Sequence, residues 1–250
     1  DILLESAKLA RSYKGVLLHT HVAETADEET FCLQKVGMRP ARYMESVNWV
    51  GNDVWWAHCI WLTPDEIKLL SETGTGVAHC PSSNMRLGSG IAPIREMLDA
   101  KVKVGLGGDG SASNDCGHMI GEARQAMLLQ RVAKGPEALT IRDALKLGTT
   151  GGASVLGRDD IGMLSAGMAA DLIGISLDML SVSGGACHDP LAALFLCSIP
   201  RVDLSVINGK IIVRDGNLLT LDLEKHIRRH NQIAAEMVEK YPEPERYKLV

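Results

Sequence analysis

The chain has 250 residues, of which 46% are hydrophobic and 23% charged, and a formal net charge of −5 at pH 7. This composition is ordinary for a globular protein. The acidic balance argues against nucleic acid or an anionic membrane surface as partner, and no apolar run approaches the roughly 18 residues that cross a bilayer.

In chain order, residues 1–13 read as an amphipathic helix with Leu3, Leu4, Ala7, Leu9 and Ala10 on one side. The start shows neither a secretory leader nor an initiator Met, so the chain is expected to begin inside a longer protein. Gly15 breaks the helix, and Val16-Leu17-Leu18 opens a buried strand that ends on His19-Thr20-His21. Residues 25–50 read as helical, with a break at Gly37-Met38-Arg39-Pro40, and a strand follows at Val54–His58. Thr63-Pro64-Asp65-Glu66 combines an N-cap, a proline at the first helical position and a glutamate three residues past the cap, so a helix is predicted from there to Thr73. A strand at 76–80, a loop rich in Ser, Asn and Gly at 81–90, a helix at 94–100 and a strand at 102–106 come next. The last of these runs into Gly107-Gly108-Asp109. Strands alternating with helices imply parallel pairing with right-handed crossovers, which suits half of a barrel and a doubly wound sheet equally well.

Beyond Asp109, residues 118–134 and 140–156 read as helices, the second opened by Thr140 with Asp143 three residues on. From Gly162 the pattern changes to short strands and turns. Residues 171–175 form one strand candidate, residues 205–213 a hairpin about the type I′ signal Asn208-Gly209, and Asp215-Gly216 a further turn. A charged helix occupies 222–240. The expected organisation is a first domain over 1–160, a small β-rich segment over 161–221, and a C-terminal helix and tail over 222–250. The six cysteines (32, 59, 80, 116, 187 and 197) are scattered without a C-x-x-C pair, as expected of reduced core thiols in a cytoplasmic protein.

Four strand candidates end in an ionisable residue: His21, His58, His79 and Asp109. Strand tips of a (β/α)8 barrel face the active site. His19 and His21 share a face of their strand because side chains alternate with period two. A neutral imidazole at such a tip can bind Zn²⁺ or Fe²⁺. Glu24, three residues further, is within reach of the hydrolytic water as a general acid and base. Taken singly, each of these signals reads equally as a polar strand end or a turn. In order along four successive strands they point to a metal-dependent hydrolase.

The ordered set His21-Val22-Ala23-Glu24, Ala57-His58-Cys59, His79-Cys80-Pro81-Ser82-Ser83-Asn84 and Gly107 through Asp115 resembles strands five to eight of the amidohydrolase superfamily. The similar branch contains the cytosine, guanine and S-adenosylhomocysteine deaminases and the triazine chlorohydrolases, and within it the 8-oxoguanine deaminases, often called hydroxyatrazine ethylaminohydrolases. The resemblance implies an α/β fold: the second half of a TIM-like (β/α)8 barrel followed by the C-terminal part of a small β-sandwich. It implies hydrolytic deamination of a purine-like heterocycle, 8-oxoguanine first, with one divalent metal, zinc or iron. Guanine, cytosine, S-adenosylhomocysteine and s-triazines are the alternative substrates, and a catalytically dead barrel scaffold is the alternative outside enzymes. His21 and Asp109 would be metal ligands. Glu24, His58 and Asp109 would be catalytic, with Glu24 shuttling a proton from the hydrolytic water to the ring nitrogen, His58 touching water or substrate, and Asp109 taking a proton from the attacking water. Ser83, Asn84, Arg86, Ser111 and Asn114 are candidate substrate contacts from the two loops. The family's strand-one H-x-H ligands have no counterpart before residue 16. The chain is therefore expected to need a missing N-terminal barrel half, to bind metal poorly and be inactive alone, and to form a homo-oligomer when complete.

Overall fold

The computed structural model describes residues 1–240, which divide into two compact units. The first comprises Asp1–Met168 with Leu177–Ile199, and the second Ala169–Ser176 with the chain from Pro200 onward.

In the first unit the elements run α1 (Ile2–Arg11), β1 (Leu18–Val22), α2 (Ala26–Val36), α3 (Pro40–Ser46), β2 (Val54–His58), α4 (Pro64–Thr73), β3 (Gly76–His79), α5 (Pro81–Arg86), α6 (Ile94–Asp99), β4 (Val104–Leu106), α7 (Met119–Lys134), α8 (Ile141–Lys146) and α9 (Gly152–Val155). The four strands form one parallel sheet in the order β1-β2-β3-β4. Local chemistry sets the helix ends. Asp1 caps α1 by accepting the Leu3 N–H at 2.9 Å. Gly37 stops α2 in the left-handed conformation, and Pro40 restarts the chain as α3. Thr63 and Glu66 form the expected reciprocal capping box of α4, as do Thr140 and Asp143 at α8.

The core lies between the sheet and its helices. Trp56, Val77 and Val104 point into it from successive strands and meet Leu70, Ile94, Met97, Met127 and Leu147. Trp56 is fully buried, and its indole N–H donates to the Trp49 carbonyl at 3.0 Å. Arg11 forks onto Asp53 at 2.7 and 3.1 Å and caps the Asn48 and Val50 carbonyls, which pins α1 to the turn before β2. The expected helix over 140–156 forms, but with a π-helical turn at Leu147–Gly151 between α8 and α9. That turn brings glycine against β4. A Cβ on Gly105 would lie 2.8 Å from the Gly152 Cα, and one on Gly151 would strike the Val104 carbonyl oxygen.

Two expectations are corrected. The segment read as a loop at 81–90 begins with α5, six residues with Pro81 at the first turn and Ser83 and Asn84 buried. Its Ser and Asn content signals a turn, but burial and the Ser82 N–H bonded to Glu122 hold it helical. The segment 161–221, read as one β-rich region, is shared between the units. Residues 177–199 fold with the first unit and carry α10 (Gly185–His188) and α11 (Pro190–Leu196). The signal was present: Asp189 caps α11 by accepting the Ala192 N–H, and Pro190 takes its first position.

In the second unit, β5 (Leu172–Gly174), β6 (Leu204–Ile207), β7 (Lys210–Arg214) and β8 (Asn217–Leu218) form an antiparallel sheet in chain order. Asn208 and Gly209 both have positive φ, as the type I′ turn requires, and Asp215-Gly216 repeat the device between β7 and β8. Helix α12 (Leu223–Lys240) follows; the rest of the expected tail lies outside the described residues.

Because the Gly151 contact is with backbone, which cannot swing aside, Gly151→Ala should destabilise the intact protein by about 1–3 kcal/mol, the range for overpacking. Denaturant unfolding checks this, and an unchanged midpoint would show that the helix can slide off β4.

Candidate active site

The polar tips of β1, β2 and β4 converge because the backbone reverses there. Ala23, His58, Cys59 and Asp109 all have positive φ, between 51° and 69°. Such a conformation costs a residue with a Cβ roughly 1–2 kcal/mol and collects at functional sites. At β2 the effect on direction is plain. In a continuing strand His58 would share the face of Trp56 and enter the core. With the backbone turned, its ring instead meets that of His21 edge-on, with centroids 4.7 Å apart.

The atoms that meet are lone-pair donors. His58 Nε2 lies 3.2 Å from His21 Nδ1 and 4.0 Å from Asp109 Oδ2. One donor atom from each of these three residues falls within 4.8 Å of the others. Glu24 Oε2 stands beside them, 3.8 Å from His21 Nδ1 and 3.7 Å from His58 Nε2. His58 is fully buried, His21 half exposed.

Neighbours set the protonation that a ligand needs. The Asn84 amide oxygen faces His58 Nδ1 at 2.8 Å, so Nδ1 carries the proton and Nε2 presents its lone pair to the cluster. Asp109 Oδ2 accepts the hydroxyls of Ser83 at 2.6 Å and Ser113 at 2.8 Å. Burial pushes the Asp109 carboxyl up, but these hydrogen bonds and the backbone of Gly110 outweigh it and hold the carboxyl below its ordinary range. Two nitrogens and a carboxylate oxygen suit a borderline divalent ion. The 3.2 Å between the nitrogens matches the roughly 3.3 Å that two imidazoles keep on a tetrahedral zinc at about 2.05 Å. The residues therefore fit a metal, and His58 joins His21 and Asp109 as a potential ligand rather than standing apart from them.

The five proposed substrate contacts fall into two groups. Ser83, Asn84 and Asn114 are buried and engaged: Ser83 on Asp109, Asn84 on His58, and Asn114 donating to the Gly108 carbonyl and to Glu122. Arg86 pairs with Asp115 on the surface, and Ser111 is exposed. Of the other histidines, His19 stacks on Trp55 with centroids 3.5 Å apart, and His118 caps α7 with Nδ1 and bonds the Ile199 carbonyl with Nε2. His79 is fully buried, and neither ring nitrogen finds a partner among the described residues. Burial pushes it down to about 3, so it is neutral. Sequence reasoning missed Ser113 and Glu122. Glu122, buried on α7, accepts the Ser82 N–H at 3.1 Å and the Asn114 amide at 2.9 Å, joining α5 to the loop after β4. Its only signal was a carboxylate on the helix side that carries Ala123, Ala126 and Met127.

Comparison with known proteins accords with this geometry. The chain matches the amidohydrolase family over residues 1–212. It is 49% identical over 238 residues to an 8-oxoguanine deaminase of Pseudomonas aeruginosa, covering 95% of this chain and 52% of that one. A 5-methylthioadenosine/S-adenosylhomocysteine deaminase of Pelotomaculum thermopropionicum is 42% identical over 214 residues, covering 85% of this chain and 49% of the relative. Among solved structures, the zinc complex of an atrazine chlorohydrolase from Arthrobacter aurescens superposes with a TM-score of 0.87 at 36% identity, covering 93% of this chain and 51% of that one. The chain thus spans about half the length of the relatives it matches. With that match running through all four strand tips, the chain belongs to the amidohydrolase family.

Proposed function

We propose that this chain supplies one half of a metal-dependent deaminase barrel, and that the complete enzyme hydrolyses an amino-substituted purine-like ring, 8-oxoguanine first. The observation that carries the reading is the convergence of His21, His58 and Asp109 with Glu24 beside them. The 49% identity to an 8-oxoguanine deaminase supports the substrate. His21, His58 and Asp109 would hold the ion, with strands β1 to β4 as the second half of a (β/α)8 barrel and β5 to β8 as part of a small sandwich. Further ligands would come from chain beyond this sequence.

A divalent metal bound there, zinc or iron, would acidify water towards a pKa of about 7. The chain's own residues then manage protons. Asp109, kept ionised by Ser83 and Ser113, takes a proton from the attacking water. Glu24 takes the other proton of that water and delivers it to the ring nitrogen beside the attacked carbon. The water oxygen bonds to that carbon, Asp109 passes its proton to the exocyclic nitrogen, and the bond between that nitrogen and the carbon breaks, so that ammonia leaves and both carboxylates return ionised. His58, its tautomer set by Asn84, keeps Nε2 directed at this centre. Ser111, exposed on the loop after β4, and Arg86, which ends α5 paired with Asp115, are the candidate groups left to meet an oxo- and amino-substituted ring; Ser83 braces Asp109, Asn84 braces His58, and Asn114 holds the loop after β4 through Gly108 and Glu122.

In the intact protein, His21→Ala and Asp109→Ala should each strip the metal and abolish turnover. Elemental analysis showing full occupancy in both variants would remove the metal assignment. Glu24→Gln should keep the metal and lower kcat by roughly 10²-fold or more, the scale of general acid–base catalysis, whereas a parental kcat would exclude Glu24 from the proton path. Ammonia release compared across 8-oxoguanine, guanine, cytosine, S-adenosylhomocysteine and hydroxyatrazine should give the highest kcat/KM for 8-oxoguanine. Another leader would change the substrate alone, and a metal-loaded protein inert on all five would favour the scaffold.

A further inference from the structure

Glu28 lies in the first turn of α2 and reaches back along the chain. Its Oε1 accepts the Ala23 N–H and its Oε2 the Glu24 N–H, each at 2.8 Å. This is not the ordinary capping arrangement, in which a glutamate at the third helical position bonds the N-cap amide. Here the N-cap is Thr25, whose side chain makes no cap bond, and both oxygens of Glu28 pass it to grip the two residues before. The other side of the same segment is gripped by the loop after β2. The Val22 carbonyl accepts the Cys59 N–H at 3.1 Å, and the Ala23 carbonyl accepts those of Ile60 at 2.9 Å and Trp61 at 3.0 Å. Ala23 is buried and sits at φ 54°, a conformation an alanine does not keep unaided.

We infer that Glu28 is the positioning residue for Glu24: it clamps two successive amides so that the left-handed turn at Ala23 holds the Glu24 carboxylate against His21 and His58. The inference rests on the reading of Glu24 as the proton carrier. Two adjacent N–H donors need two acceptors, which a carboxylate supplies and an amide does not; a glutamine would set its own NH₂ against one of them. Bonds from backbone amides to a carboxylate are also charge-assisted, hence short and stiff. A group held in place before substrate arrives need not be ordered during the reaction, and a shift of about 1 Å at such a group can cost about 10²-fold in rate.

The test is a double-mutant cycle in the intact, metal-loaded protein: Glu24→Gln, Glu28→Gln and both together. Glu28→Gln should lower kcat by about 10- to 100-fold while metal content and KM stay near the parent's. The double variant should be no slower than Glu24→Gln, because Glu28 acts only through Glu24. Independently of activity, amide hydrogen exchange at residues 23 and 24 should accelerate in Glu28→Gln. A slow Glu24→Gln beside a parental Glu28→Gln overturns the positioning role alone. So does a further loss of equal size in the double variant, or unchanged exchange. A parental Glu24→Gln overturns the Glu24 reading and the positioning role with it. If Glu28→Gln does not fold, Glu28→Asp carries the same cycle, since it keeps the charge but shortens the reach.

Discussion

Two imidazole nitrogens 3.2 Å apart, with a carboxylate next to them, have to be brought together from three separate strands. In this molecule the parallel sheet does this. His21 and His58 leave adjacent strands in fixed register, Val22 opposite His58, and Asp109 leaves the strand at the far side. The left-handed residues at the tips convert that register into convergence by turning side chains that would otherwise point into the core. The strain is tolerable because the sheet is backed by a close-packed layer around Trp56, Leu70, Met97 and Met127, which moves little.

Around the cluster, buried carboxylates and amides take the place that bulk water would have elsewhere. Glu122 ties α5 to the loop after β4, Asn84 fixes the tautomer of His58, and Ser83 with Ser113 keeps Asp109 ionised. Each of these groups already bonds another part of the protein, so little reorganisation is left for the moment when charge moves. That is the physical meaning of preorganisation at a hydrolytic site.

The sequence was most legible where a signal is local. The Thr63 and Thr140 caps, the break between α2 and α3 and the Asn208-Gly209 hairpin turn all depend on residues within a few positions of one another, and all form. The strand tips were legible because four of them repeat one pattern in order. What escaped is long-range. The helicity of α5 depends on Glu122, 40 positions away from Ser82, and the partnership of Asn84 with His58 spans 26. Helices α10 and α11 were lost because a Gly- and Ser-rich stretch obscured a short but regular cap at Asp189. For Ser83, Asn84 and Asn114 the residue types were noticed, but sequence alone does not say whether a polar loop residue faces a ligand or its own fold.

Strands β1 to β4 lie side by side in the order in which they are made. Ribosomes add about 5–20 residues per second, so the stretch from His21 to Asp109 emerges over roughly 5–20 s. Each strand can dock on the one before it through a single crossover, and no strand must wait for a distant partner. His21 and His58 are therefore made first, and Asp109 can join the cluster only once β4 exists to pair with β3. In a nascent chain the carboxylate thus becomes available only after both imidazoles have been synthesised.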